Sequence, residues 1–111
     1  MITHYRLNGH EVEPCSFEDW TLLDISLRRV GLDEIEGYEV STIFEGLNHA
    51  LSGRPPRIFE TAVLDAASGT LINVLERYAT WDEAEQGHKG WCDAIRVRLK
   101  EQRLLGSDNG D

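Results

Sequence analysis

The order of strand and helix signals predicts an α+β domain: a small, mostly antiparallel sheet, in the order ββαβββα, with two amphipathic helices packed on one face. Three observations predict it. Residues 57–64 and 71–78 are strand-like runs joined by Asp65-Ala66-Ala67-Ser68-Gly69, which reads as a hairpin. The last helical pattern sets Trp81, Ala84, His88, Trp91, Cys92, Ile95 and Leu99 on one side of a 3.6-residue wheel. Residues 17–30 do the same with Trp20, Leu23, Leu27 and Val30, Phe17 lying at the margin. The strand links are hairpin-like or short, which favours antiparallel pairing; a first helix acting as a crossover leaves a mixed sheet open.

Residues 4–13 form the first hairpin, with Tyr5 and Leu7 before the turn dipeptide Asn8-Gly9 and Val12 after it. Ser16 is placed to cap the first helix, with Asp19 three residues on and Gly31 as its C-terminal glycine. Leu22 and Ile25 fall off its apolar stripe and are expected either under the N-terminal hairpin or free for a partner. An acidic turn over 33–37 leads into a β-branched strand at 38–45, and a Gly- and Pro-rich loop spans 46–57. Thr80 with Glu83 forms a capping box for the final helix, in which Gly87 and Gly90 each cost about 1 kcal/mol relative to alanine. One domain over 1–105 and a frayed polar tail over 106–111 complete the plan.

At 111 residues, 41% hydrophobic and 28% charged, the chain has the size and composition to build a core without metal or disulfide help. Cys15 and Cys92 form no CxxC pair and are expected reduced, in a cytoplasmic setting, because no secretory start or membrane-length apolar run is present. The net charge of -9 opposes direct nucleic-acid binding and attraction to anionic membranes. Acids crowd the region 11–45, where only Arg28 and Arg29 answer them, and bases gather on the last helix. From this stretch Asp33, Glu34, Glu36, Glu39 and Glu45 form a candidate acidic binding surface, able to meet a protein complex with a basic groove; the plainer reading is a solvated face.

The chemistry-bearing candidates are His49 in the loop, Glu60 in a strand and His88 on the last helix, which together would suit zinc with an open fourth position. Their spacing is neither HxxxH nor HExxH. The plainer expectation for His88 is a core imidazole paired with backbone or with a carboxylate such as Glu60, and for Glu60 a cross-strand pair with Arg77. Cys92 lies one turn from His88 on the apolar stripe and reads as core packing, and Cys15 precedes a helix. Without GxSxG, P-loop or GxGxxG, no cofactor is implied and the chain leans away from an enzyme.

Val40-Ser41-Thr42, Gly46-Leu47-Asn48-His49, Pro55-Pro56, Phe59-Glu60-Thr61, Arg77-Tyr78, Thr80-Trp81, Glu83-Ala84 and Gly87-His88 together resemble a family of small bacteriophage and prophage proteins of unassigned activity. The likeness covers residues 40–88 and departs at Asn48, where the pattern has an acid, and in a longer spacer over 65–76. It implies a phage or mobile-element origin and a host-cell cytoplasmic setting, and transfers no catalytic residue. By analogy with small phage proteins, the leading expectation is a stoichiometric binding protein that inhibits a host defence complex. The alternatives are a metal- or ligand-binding enzyme using His49, Glu60 and His88, and an accessory homodimer joined through Leu22 and Ile25.

Overall fold

Asn8 pairs with Glu11 across β1 (Tyr5–Asn8) and β2 (Glu11–Pro14), so the two-residue turn is Gly9-His10, with Gly9 at φ 63°. A glycine at positive φ in the first turn position matches the twist of a tight hairpin. A second two-residue turn, Glu36-Gly37 at φ 48° and 90°, joins β3 (Arg29–Ile35) to β4 (Tyr38–Phe44). Both positions need left-handed backbone there, and Glu36 adopts it at a cost of roughly 1 kcal/mol. The computed structural model describes residues 3–48, 50 and 53–109.

The single helix expected over 17–30 is broken into α1 (Phe17–Thr21) and α2 (Ile25–Arg28). Ser16 caps the first, accepting from the Asp19 N–H at 3.1 Å. Asp24 ends any continuation, because its carboxylate takes the N–H and hydroxyl of Ser26 at 2.9 and 2.8 Å and starts a new turn. Val30 and Gly31 then enter β3 instead of closing a helix. The stripe expected to press on the sheet is dissolved: Leu27 is 72% exposed, while Leu23 and Val30 reach the core as half-buried neighbours. Leu22 and Ile25, at 81% and 70% exposure, are not covered by the N-terminal hairpin.

The main sheet runs β3-β4-β5-β6, with β5 (Phe59–Asp65) and β6 (Leu71–Tyr78), and every neighbour is antiparallel. The fold is therefore α+β with two antiparallel sheets and three helices, one of them long. The β1-β2 hairpin is tied to the main body by Tyr5 N–H to Gly46 C=O at 2.8 Å and Asn48 N–H to Thr3 C=O at 3.1 Å. The third helix, α3 (Trp81–Asn109), starts at a capping box in which the Thr80 hydroxyl meets both the Glu83 N–H and its carboxylate. It crosses all four strands on one face. At about 43 Å it overhangs strands of seven or eight residues, about 23–26 Å long, and it remains helical past residue 106, where the sequence suggests a frayed tail. Among the described residues no helix is long and apolar enough to cross a membrane.

Two apolar clusters lie under α3. At its N-terminal end Phe44, Ile58, Phe59, Tyr78 and Ala84 are buried, with Trp81 against them. Further along, Ile35, Val40 and Cys92 pack with Ile95 and Leu99. Fully burying a side chain such as Phe44 or Phe59 contributes about 1.5–3 kcal/mol. Between the clusters runs a polar seam of Thr42, Thr61 and His88, all buried.

Candidate functional site

The seam is a row of hydrogen bonds threading the core. Thr42 and Thr61 face each other across β4 and β5 with their hydroxyl oxygens 2.6 Å apart, and the Thr61 oxygen lies 3.1 Å from the Tyr78 hydroxyl. On the other side Thr42 Oγ1 meets His88 Nδ1 at 2.7 Å, and His88 Nε2 meets Asp33 Oδ1 at 2.7 Å. Each polar side chain of the seam thus has a partner, as the low dielectric of a core demands. Glycine allows the approach: a Cβ on Gly31 would fall 2.6 Å from His88 Cδ2, so the bare backbone of β3 is what the imidazole lies against.

At the outer end of the row three donor atoms converge. Asp33 comes from β3, and His88 and Cys92 lie one helical turn apart on α3; one ligand atom from each lies within 4.8 Å of the others. Cys92 Sγ is 3.6 Å from His88 Nε2. The group opens to a depression of about 270 Å³ lined by Asp33, His88, Lys89, Cys92, Asp93 and Arg96. The His88 hydrogen bond, aided by Arg96, holds the Asp33 carboxyl below the usual carboxylate range. Burial, with the Asp33 charge adding to it, pushes the Cys92 thiol up. These facts set what the group can do. A thiol nucleophile needs its base on one imidazole nitrogen and the orienting carboxylate on the other, whereas here thiol and carboxylate share Nε2. The arrangement suits hydrogen bonding or metal ligation and not a thiol–imidazole relay.

The acidic candidates divide between the two faces of the sheet. Asp33 turns toward α3, where Arg96 Nη2 lies 3.7 Å from its Oδ2, and Glu36 at the turn is paired with Arg103. Glu34 and Glu39 sit directly opposite each other on the face away from α3. Glu45 lies at the far end of β4, six residues or about 20 Å from Glu39, where its carbonyl accepts from Trp20 Nε1 at 3.0 Å.

That outer face is arranged in rows by the strand register. Glu34, Glu39, Leu64 and Leu71 make one row; Leu32, Ser41, Ala62 and Val74 the next; Arg29, Ile43, Glu60 and Arg77 the third. Among the described residues, α3 is the element that spans the four strands, and it lies on the opposite side. The face is therefore acidic toward the Glu36-Gly37 turn, mostly apolar in the middle, and bears Arg29 and the Arg77–Glu60 pair at the far end.

Of the metal candidates read from sequence, His49 lies outside the described residues. Glu60 is on the outer face, 3.4 Å from Arg77 Nε, whereas His88 is under α3, so the sheet separates those two. His88 does find a carboxylate, that of Asp33 and not of Glu60. Cys15 is half-buried beside the hairpin, its thiol raised mainly by burial. Sequence reasoning missed Thr42 and Thr61 as partners of His88; two threonines on the inward-facing positions of adjacent strands were the signal. Set against protein-family models, curated proteins and solved structures, the chain finds no match.

Proposed function

We propose that the protein acts by stoichiometric binding to another protein through the outer face of its four-stranded sheet. The observation that carries the reading is the facing pair Glu34 and Glu39. Like charges directly across a ladder are destabilising, so a cationic group laid over them is attracted to both at once. Leu32 and Leu71, 42% and 54% exposed, supply apolar area to bury, and Arg29 at the other end, beside the Arg77–Glu60 pair, sets which way round the partner docks. A host complex with a basic surface fits this chemistry, and the resemblance to phage and prophage proteins supports an anti-defence role for it. The test is affinity capture from host lysate at low and high salt, using the native protein and a variant carrying Glu34→Lys and Glu39→Lys. Salt-sensitive capture of one complex by the native protein alone is expected; equal capture by both proteins refutes the reading.

A second reading, a homodimer, is favoured by the exposure of Leu22 and Ile25 at 81% and 70%, with Phe17 and Leu27 exposed beside them. Light scattering separates the two. A dimer mass that falls to the monomer with Leu22→Glu supports self-association, and a monomeric native protein removes it.

A further inference from the structure

We propose that Asp33, His88 and Cys92 bind a zinc ion, or a divalent cation of similar borderline softness, through Asp33 Oδ1, His88 Nε2 and Cys92 Sγ, with the fourth position open to solvent. The donor set is the first argument. Carboxylate, imidazole and thiolate are the three ligand types zinc accepts, and three protein ligands with one open position is a recurrent zinc arrangement.

Geometry is the second. Tetrahedral zinc with ordinary bond lengths sets its nitrogen and sulfur ligands about 3.6 Å apart and its nitrogen and oxygen ligands about 3.3 Å apart. His88 Nε2 and Cys92 Sγ already lie at 3.6 Å, and His88 Nε2 and Asp33 Oδ1 at 2.7 Å, so admitting the ion requires the Asp33 carboxylate to draw back by a fraction of an ångström. Asp33 has room to do so, being 44% exposed at the edge of the depression, whereas His88 and Cys92 are held in the core.

The surrounding groups are the third. A ligating histidine ordinarily donates its other N–H to an oxygen that fixes the ring. Thr42 Oγ1 stands 2.7 Å from Nδ1 for that purpose, and with that oxygen accepting from Nδ1 the Thr42 hydroxyl is free to donate to Thr61, which in turn neighbours the Tyr78 hydroxyl. The ring cannot swing away, because it lies against the backbone at Gly31. Arg96 approaches Asp33 Oδ2, not Oδ1, and so holds the carboxylate with one oxygen turned to the site. On loading, the thiol proton leaves to solvent, and the ring hydrogen that Nε2 gives to Asp33 is exchanged for one on Nδ1, donated to Thr42 Oγ1, so the imidazole is neutral with its Nε2 lone pair on the ion. One doubly charged cation then meets one carboxylate and one thiolate, a neutral centre.

Cobalt(II) is the probe, added to full-length, chelator-stripped protein carrying Cys15→Ser, so that Cys92 is the sole thiol. One equivalent should bind, with a thiolate-to-cobalt charge-transfer band in the near ultraviolet, and zinc should displace it. Asp33→Asn should weaken binding at least tenfold, Cys92→Ser should abolish the band, and Thr42→Val should cost about 10–100-fold in affinity by freeing the imidazole. Absence of the charge-transfer band in the Cys15→Ser protein overturns the proposal without recourse to any core variant. Binding that is undiminished by Asp33→Asn also overturns it, placing the ion elsewhere.

Discussion

Gly31 and His88 occupy one space: the imidazole lies where a side chain at position 31 would begin, its Cδ2, Nε2 and Cγ falling 2.6, 2.7 and 2.8 Å from an added Cβ. Gly31→Ala therefore forces either the ring or the strand to move. Both ring nitrogens are hydrogen-bonded, so the ring cannot yield without breaking the seam. Overpacking of this kind costs about 1–3 kcal/mol, to be read from urea unfolding.

Thr42→Val keeps the shape of the buried side chain and removes the oxygen that His88 Nδ1 and Thr61 share. Both lose a partner in a site without room for easy substitution. The expected loss is about 1–3 kcal/mol, and the paired variant Thr42→Val with Thr61→Val should lose less than the two single effects summed. Chemical denaturation of the three variants checks this.

Gly87 and Gly90, three residues apart on α3, should respond with opposite sign to alanine. At Gly87 the Tyr78 ring fills the place of a Cβ, while at Gly90 nothing lies within 4 Å. Gly90→Ala should stabilise by up to about 1 kcal/mol through helix propensity, and Gly87→Ala should destabilise despite the same gain. Thermal midpoints of both variants against the native protein give the answer.

Glu34→Gln should raise stability in low salt by about 0.2–1 kcal/mol, because it removes one of two facing carboxylates. The gain should shrink as salt is added. If the outer face binds a cationic partner, the same substitution should weaken that binding, so stability and function would move in opposite directions.

Asp65 predicts a pH effect. Hydrogen bonds from the N–H groups of Ser68 and Ala67 hold its carboxyl below the usual carboxylate range. A depressed folded-state pKa adds stability above the unfolded value, and that contribution is lost as pH falls through the folded value. Asp65→Ala should therefore lower the thermal midpoint near pH 7 and make progressively less difference as the pH drops below about 4.

The β5-β6 hairpin and the start of α3 were legible because their signals are local: turn residues, β-branched runs, and a capping box three residues wide. The Thr80–Glu83 bonds form as that pattern requires. Strand β3 was not legible. Arg-Val-Gly-Leu-Asp-Glu-Ile carries a glycine and two acids, poor strand formers by propensity, and a helical wheel claims its first two residues. What makes it a strand is tertiary: Gly31 admits the His88 ring and Asp33 binds it, across 55 residues of sequence. One local signal was present, since Glu36-Gly37 separates two alternating runs by a two-residue turn. The candidate donor group was half legible. The one-turn spacing of His88 and Cys92 on a single helix face could be read directly, but its third member could not be found until β3 was recognised.

The row from Tyr78 through Thr61 and Thr42 to His88 has a property that heavy-atom positions alone do not reveal. Every O–H in it can point toward the helix or away from it with no carbon, nitrogen or oxygen displaced. Whichever nitrogen of the imidazole carries its hydrogen sets whether Thr42 Oγ1 accepts from Nδ1 or donates to it, and with it the way Thr42 and Thr61 share their hydrogens. The direction of the line is a property of its hydrogens alone, and the proton resonances of Thr42 and Thr61 are where it would be read.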